Sequence, residues 1–138
     1  MKIAIVTDTH FGVRNDNRII ADHINSFFDE QFFPYIDTMG ITSVIHLGDV
    51  CDRRKYINFV TSSQLEEHLI KPIHNRGINT DMIIGNHDCF YKNTNEINSM
   101  RQLYGHSFYN FNCYWEKPVE KDYDGLKVLL VPWICDEN

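Results

Sequence analysis

Three apolar runs in this chain each stop abruptly at a polar cluster that could bind metal or move protons. "KIAIVT" leads into Asp8-Thr9-His10, "TSVIHL" into Gly48-Asp49-Val50-Cys51-Asp52, and "DMII" into Gly85-Asn86-His87-Asp88. Carboxylates, imidazoles and an amide are costly at the edge of a core unless each finds a partner. If the three clusters share one rim, Asp8, Asp49, Asp52 and Asp88 repel one another, and divalent cations remove the conflict. Carboxylate, imidazole and amide oxygen are the donors that Mn, Fe, Zn or Mg take, with no thiolate required. Two ions roughly 3.5–4 Å apart, bridged by one carboxylate, form a clamp for phosphate-ester hydrolysis. A histidine outside the ligand set then stabilises the transition state or helps the leaving oxygen depart, and His87 is the candidate.

The elements between these clusters must bring them together. "KIAIVT" (2–7), "TSVIHL" (42–47) and "NTDMIIG" (79–85) read as buried strands, continuous rather than alternating in hydrophobicity. Helical spacing of Ile19, Ile20, His23, Ile24, Phe27 and Phe28 predicts a helix from about Asp16 to Met39. Gly40 stops it and Pro34 kinks or splits it. A second helix is expected from about Phe59 to Asn75 and a short one from Glu96 to Tyr104. The remainder, from Ser107 on, reads as strands with a turn at Asp124-Gly125. The order β-α-β-α-β predicts an α/β layered fold that begins with parallel strands, and such sheets bind ligands outside their carboxyl ends. All three clusters sit there. Asp8 and His10, two apart, are expected to point to one side of an extended chain.

The whole chain sets wider bounds. Its 138 residues, 43% hydrophobic, suit one domain with a real core. No stretch reaches the length of a membrane span, and "MKIAIVTDTH" does not read as a secretory signal, so a cytoplasmic protein is expected. Cys51, Cys89, Cys113 and Cys135 form no CxxC pair and read as reduced thiols, two of them near the chemistry without performing it. A net charge of −6 argues mildly against nucleic acid, an argument that bound cations would invert.

At "DTH", "GDVCD" and "GNHD" the chain resembles the calcineurin-like metallophosphoesterases. Within them it is most similar to the SbcD-type nucleases, catalytic subunits of double-strand-break repair and recombination complexes, and to their phage counterparts. "DTHFGV", "HLGDVCDRRK", "IIGNHDCFYKN" and "VPWICDEN" carry that likeness. The resemblance implies the calcineurin-like fold, layered β-sheets flanked by helices, and a manganese-dependent hydrolase that degrades DNA ends and cuts single strands. It implies that Asp8 and His10 bind the first ion, Asp49 bridges both, Asn86 binds the second, and His87 faces the phosphate. Asp52 and Asp88 would orient those ligands without touching an ion.

The family has two further histidine motifs, one after "VPW" and a closing G-H-x-H. This sequence matches neither, and Gly105-His106 lacks the second histidine. The expectation is therefore the N-terminal part of a nuclease domain, with one ion held by Asp8, His10 and Asp49, weak or absent activity alone, and an exposed sheet edge. Arg53, Arg54 and Lys55 read either as phosphate-backbone contacts or as a solvated loop offsetting the acidic cluster. The stripe Phe59, Leu65, Leu69, Ile97, Met100 and Leu103 reads as core or as a homodimer surface. The resemblance also implies an SMC-like ATPase partner of the SbcC type for the full-length family member. A phosphatase or small-molecule phosphodiesterase on the same fold, and a silent fragment that binds DNA or dimerises, stand as the other readings.

Overall fold

The structure is a computed structural model and describes residues 1–106, 109 and 111–138. Ser107, Phe108 and Asn110, at the start of the stretch expected to carry the last strands, lie outside the described residues.

Four short strands, β1 (Ile3–Val6), β2 (Ser43–His46), β3 (Asn79–Ile83) and β4 (Asn112–Tyr114), form one sheet in the order β1-β2-β3-β4. All three pairings are parallel, with Val6 opposite His46 and His46 opposite Met82. Strands added in sequence in one direction, by crossovers of the usual right hand, send every connecting helix to the same face. The first connection holds α1 (Val13–Asp16), a single turn that is left-handed from Arg14 on, and the helices α2 (Arg18–Ser26) and α3 (Phe33–Met39); the second holds α4 (Phe59–Leu65) and α5 (Lys71–Asn75); the third holds α6 (Ser99–Tyr104). An antiparallel hairpin of β5 (Val119–Tyr123) and β6 (Leu126–Leu130) lies on the opposite face. The layered α/β arrangement is the one expected from the sequence.

Side-chain alternation along the strands divides the core. Ala4, Val6, Val44 and Met82 pack with Phe28, Phe33, Leu65, Leu69 and Met100 from the helical layer. Ile3, Ile45 and Ile83 turn the other way, against Tyr123 and Leu130 of the hairpin. Asp81 is buried on that second face, where its carboxylate accepts hydrogen bonds from Tyr123 (2.6 Å), Tyr114 (3.0 Å) and the Asn112 amide (3.0 Å). That carboxylate fastens the hairpin to the sheet.

Pro34 splits its α-helix, as expected, without ending the helical run. The chain stays helical from α2 through a π-helical segment, Phe27–Phe32, into α3. There the Phe33 N–H reaches the Phe28 carbonyl, five residues back. A wider turn accommodates a residue that has no N–H and whose ring would crowd the carbonyl four back. The same device precedes Pro72: Glu66–Ile70 is π-helical and the Lys71 N–H bonds to the Glu66 carbonyl. At the hairpin tip, Asp124 (φ 55°) and Gly125 (φ 91°) have the two positive φ values of a tight antiparallel connection.

Candidate metal centre

The carboxyl ends of β1, β2 and β3 open onto one rim. Past β1 and β2 the backbones stay joined: Asp8, His10 and Phe11 N–H groups donate to the carbonyls of Gly48, Asp49 and Val50, at 3.1, 3.0 and 2.8 Å. This pairing lays the first cluster alongside the second. The third docks through two glycines packed back to back. A Cβ on Gly48 would stand 2.5 Å from the Gly85 nitrogen, and one on Gly85 would stand 2.1 Å from Asp49 Oδ1. Neither position has room for a side chain, which accounts for the glycine in both "GD" and "GN".

His10 Nε2 lies 3.5 Å from Asp8 Oδ1 and 3.7 Å from Asp49 Oδ2. Donors bound at about 2.0–2.2 Å to a shared cation stand close to this far apart. One ligand atom from each of His10, Asp49 and His87 falls within 4.8 Å of the others. The His10 and His87 rings meet edge to face at 4.8 Å between centroids. The donor set and its spacing thus fit a divalent cation. Asp8 is exposed, and a hydrogen bond from Thr7, with His10 adding to it, holds its carboxyl below the ordinary range. It offers an anion to the rim at neutral pH.

Asp8 and His10 do share a side, but by another geometry than an extended strand. Their φ values are 53° and 44°, and Asp49 has 53°. All three sit in the left-handed region, which residues with a Cβ rarely adopt. The chain after β1 takes a left-handed residue at each donor while staying alongside the second cluster, and the sequence carried no glycine there to signal it.

The neighbouring residues have separable roles. His87 N–H donates to Asp49 Oδ1 (2.9 Å) and its ring Nδ1 lies 2.6 Å from the Asp52 carbonyl, so Nδ1–H donates there and Nε2 is left for the rim. Asp52 Oδ1 approaches His10 Nδ1 to 3.2 Å, close enough to orient the ring though out of hydrogen-bond line. Asp88 is buried behind the rim and accepts from the backbone N–H of Asp49 (2.7 Å), Gly85 (3.0 Å) and Cys51 (3.1 Å) and from Ser99 (3.2 Å). Burial pushes its carboxyl above the ordinary value, against the bonds from Gly85 and Cys51. Its lone pairs are spent on knitting the second and third clusters together. Asn86 is half-buried in the turn between Gly85, which abuts the Asp49 carboxylate, and His87.

The three cations after Asp52 differ from one another. Arg53 forms an ion pair with Asp16, bonds Asn15 and stacks on Tyr56. Arg54 donates to the carbonyls of Cys89 (2.8 Å) and Tyr91 (3.3 Å). Both brace loops, while Lys55 is exposed. Cys51 and Cys89 are buried thiols pushed up to about 12 by desolvation, which keeps them out of the chemistry.

A parallel sheet whose strand ends bring aspartate and histidine donors within reach of one cation is the arrangement of a metallophosphoesterase. The chain matches the calcineurin-like phosphoesterase family over residues 1–133 and belongs to that family, which is metal-dependent. It is similar to exonuclease subunit 1 of Enterobacteria phage T4, with 36% identity over all 138 residues. It spans 40% of that relative's length. Among the described residues no helix is long and apolar enough to cross a membrane.

Proposed function

We propose that this chain supplies the metal-binding half of a DNA nuclease that hydrolyses phosphodiester bonds with two divalent ions, manganese foremost. Asp8 and His10 would hold one ion, Asp49 would bridge the pair, and Asn86 would hold the second. When bound, the ions supply an activated water and neutralise charge on the phosphate oxygens. The chain's own residues do the rest. Asp49 is fixed by the His87 N–H and by the absence of a side chain on Gly85. Asp88 keeps the bridging loop in register, and the Asp52 carbonyl directs the His87 ring so that Nε2 faces the scissile group. There His87 stabilises charge on the phosphate or protonates the departing oxygen.

The observation that carries this reading is the meeting of Asp8, His10, Asp49 and His87 on one rim. The T4 relative, an exonuclease subunit by name, favours a nucleic-acid substrate over a phosphoprotein. Lys55 is the cation best placed to meet a DNA backbone, since Arg53 and Arg54 are committed to loops. An SMC-like ATPase is the proposed partner of the full-length family member in repair or recombination, and a second copy is the proposed partner of this chain.

The test is digestion of a linear duplex with manganese, alongside calorimetry of manganese binding to the same chain. Digestion should fall about 100-fold or more in His87→Ala, with manganese still bound, and should vanish together with the metal in Asp49→Ala. Hydrolysis of an aryl phosphate with DNA left intact would make the chain a phosphatase. Manganese bound without any hydrolysis would leave a non-catalytic DNA-binding or dimerising role.

A further inference from the structure

Thr9 stands between two metal donors, Asp8 and His10, while Gly48 and Val50 flank a third, Asp49. Beneath the backbone pairing of these segments runs a second, buried set of contacts. The Gly48 N–H donates to His46 Nδ1 at 3.1 Å, so that nitrogen carries no proton. The ring proton is then on Nε2, which lies 3.2 Å from Thr9 Oγ1. Thr9 accepts it and donates its own hydroxyl to the Val50 carbonyl, also at 3.2 Å. One direction of donors satisfies all three contacts. His46 is 1% exposed and is joined to the rim by these partners. Burial pushes its pKa down to about 4, which keeps the ring neutral as the Gly48 contact demands.

What this relay spans is strained. Asp8, His10 and Asp49 hold φ values of 53°, 44° and 53°. Residues with a Cβ rarely hold this conformation, and it persists where their surroundings over-determine it. The relay crosses between the two strained segments at the one residue, Thr9, that separates two of the donors. We propose that His46 and Thr9 are positioning residues of the metal centre, a buried imidazole–hydroxyl relay that holds Asp8, His10 and Asp49 in the left-handed conformation that aims them at the cation. The inference rests on the metal-centre reading above and goes beyond it in assigning roles to two residues that touch no ion.

Thr9→Val removes the hydroxyl while keeping the shape, and Thr9→Ser restores it. With manganese as the probe in calorimetry, Thr9→Val should bind about tenfold more weakly or worse, and Thr9→Ser should stay within about threefold of the wild type. Nitrogen NMR of the wild-type His46 ring should report the Nε2–H tautomer. Wild-type manganese affinity in folded Thr9→Val, or an Nδ1–H ring, overturns the proposal. If Thr9→Val does not fold, the tautomer together with recovery of fold and affinity in Thr9→Ser decides. If the wild type itself binds no manganese, the nuclease reading fails, and the relay is judged by the backbone carbon shifts of Asp8, His10 and Asp49. Shifts that leave the left-handed range in Thr9→Val uphold it, and unchanged shifts overturn it.

Discussion

At the scale of single residues, the site depends as much on groups that touch no ion as on those that do. Gly85 is the sharpest case, since the space a Cβ would need already holds Asp49 Oδ1 and the Asp49 nitrogen at 2.1 and 2.5 Å. Backbone and a pinned carboxylate cannot yield as the end of a flexible side chain would. Gly85→Ala should therefore destabilise the chain by about 1–3 kcal/mol, as overpacking does, and should also displace the bridging carboxylate. Urea denaturation checks the first effect and manganese calorimetry the second. A variant with normal metal affinity would mean that Asp49 does not need its present place. Asp88 extends the same logic, since its carboxylate, spent on three backbone N–H groups, was legible in "GNHD" as a polar letter but not as a fastener.

At the scale of elements, β1, β2, β3 and the helical connections were readable because their hydrophobic periods are strong. The observed strands Ile3–Val6, Ser43–His46 and Asn79–Ile83 fall inside the runs expected from the sequence. α6 starts at Ser99, three residues after the start expected from the sequence, because Asn98, which caps it by accepting from the Arg101 N–H at 2.9 Å, outweighs the apolar spacing before it. The break at Pro34 is legible in the sequence, but its form is not, because a widened turn is a tertiary accommodation with no sequence mark of its own. Nor could spacing show how α1 is held. Arg14, Asn15 and Asp16 are left-handed, and Asp16 is clamped there by Arg53 and by Thr61 of α4 at 2.6 Å. Burial raises the Asp16 pKa, yet the bonds from Thr61 and Arg53 outweigh it and hold the carboxyl below its ordinary 3.8. A depressed carboxylate contributes its stability above the unfolded value and loses it as pH falls through the folded one. Wild-type urea midpoints should thus drop more steeply than those of Asp16→Asn as pH falls below about 4. Equal slopes would show that the clamp contributes nothing to folding.

At the scale of the whole molecule, the parallel sheet ends on β1, whose outer edge has no strand partner among the described residues. Ile5 on that edge is 63% exposed on the hairpin face, because β5 and β6 cover Ile45 and Ile83 but stop short of it. On the helical face an open cavity runs along the same edge between Lys2, Ile3, Ala4, Ile5 and the side chains of Phe32, Tyr35 and Met39. Unpaired N–H and C=O groups beside apolar surface recruit another chain unless charge or proline blocks them, and β1 carries neither between Ile3 and Val6. A net charge of −6 opposes association, but repulsion between charges more than about 10 Å apart is largely screened at 0.1 M salt, and the edge itself carries no charge between Ile3 and Val6. Sedimentation of the chain at rising concentration and moderate salt should therefore show species heavier than the 16.3 kDa monomer. Ile5→Lys, which places a charge on the edge without touching the rim, should return the monomer and leave manganese affinity unchanged. Persistence of the heavier species in that variant would move the contact to the exposed Phe59, which is 92% exposed on α4 and belongs to the other face of the molecule.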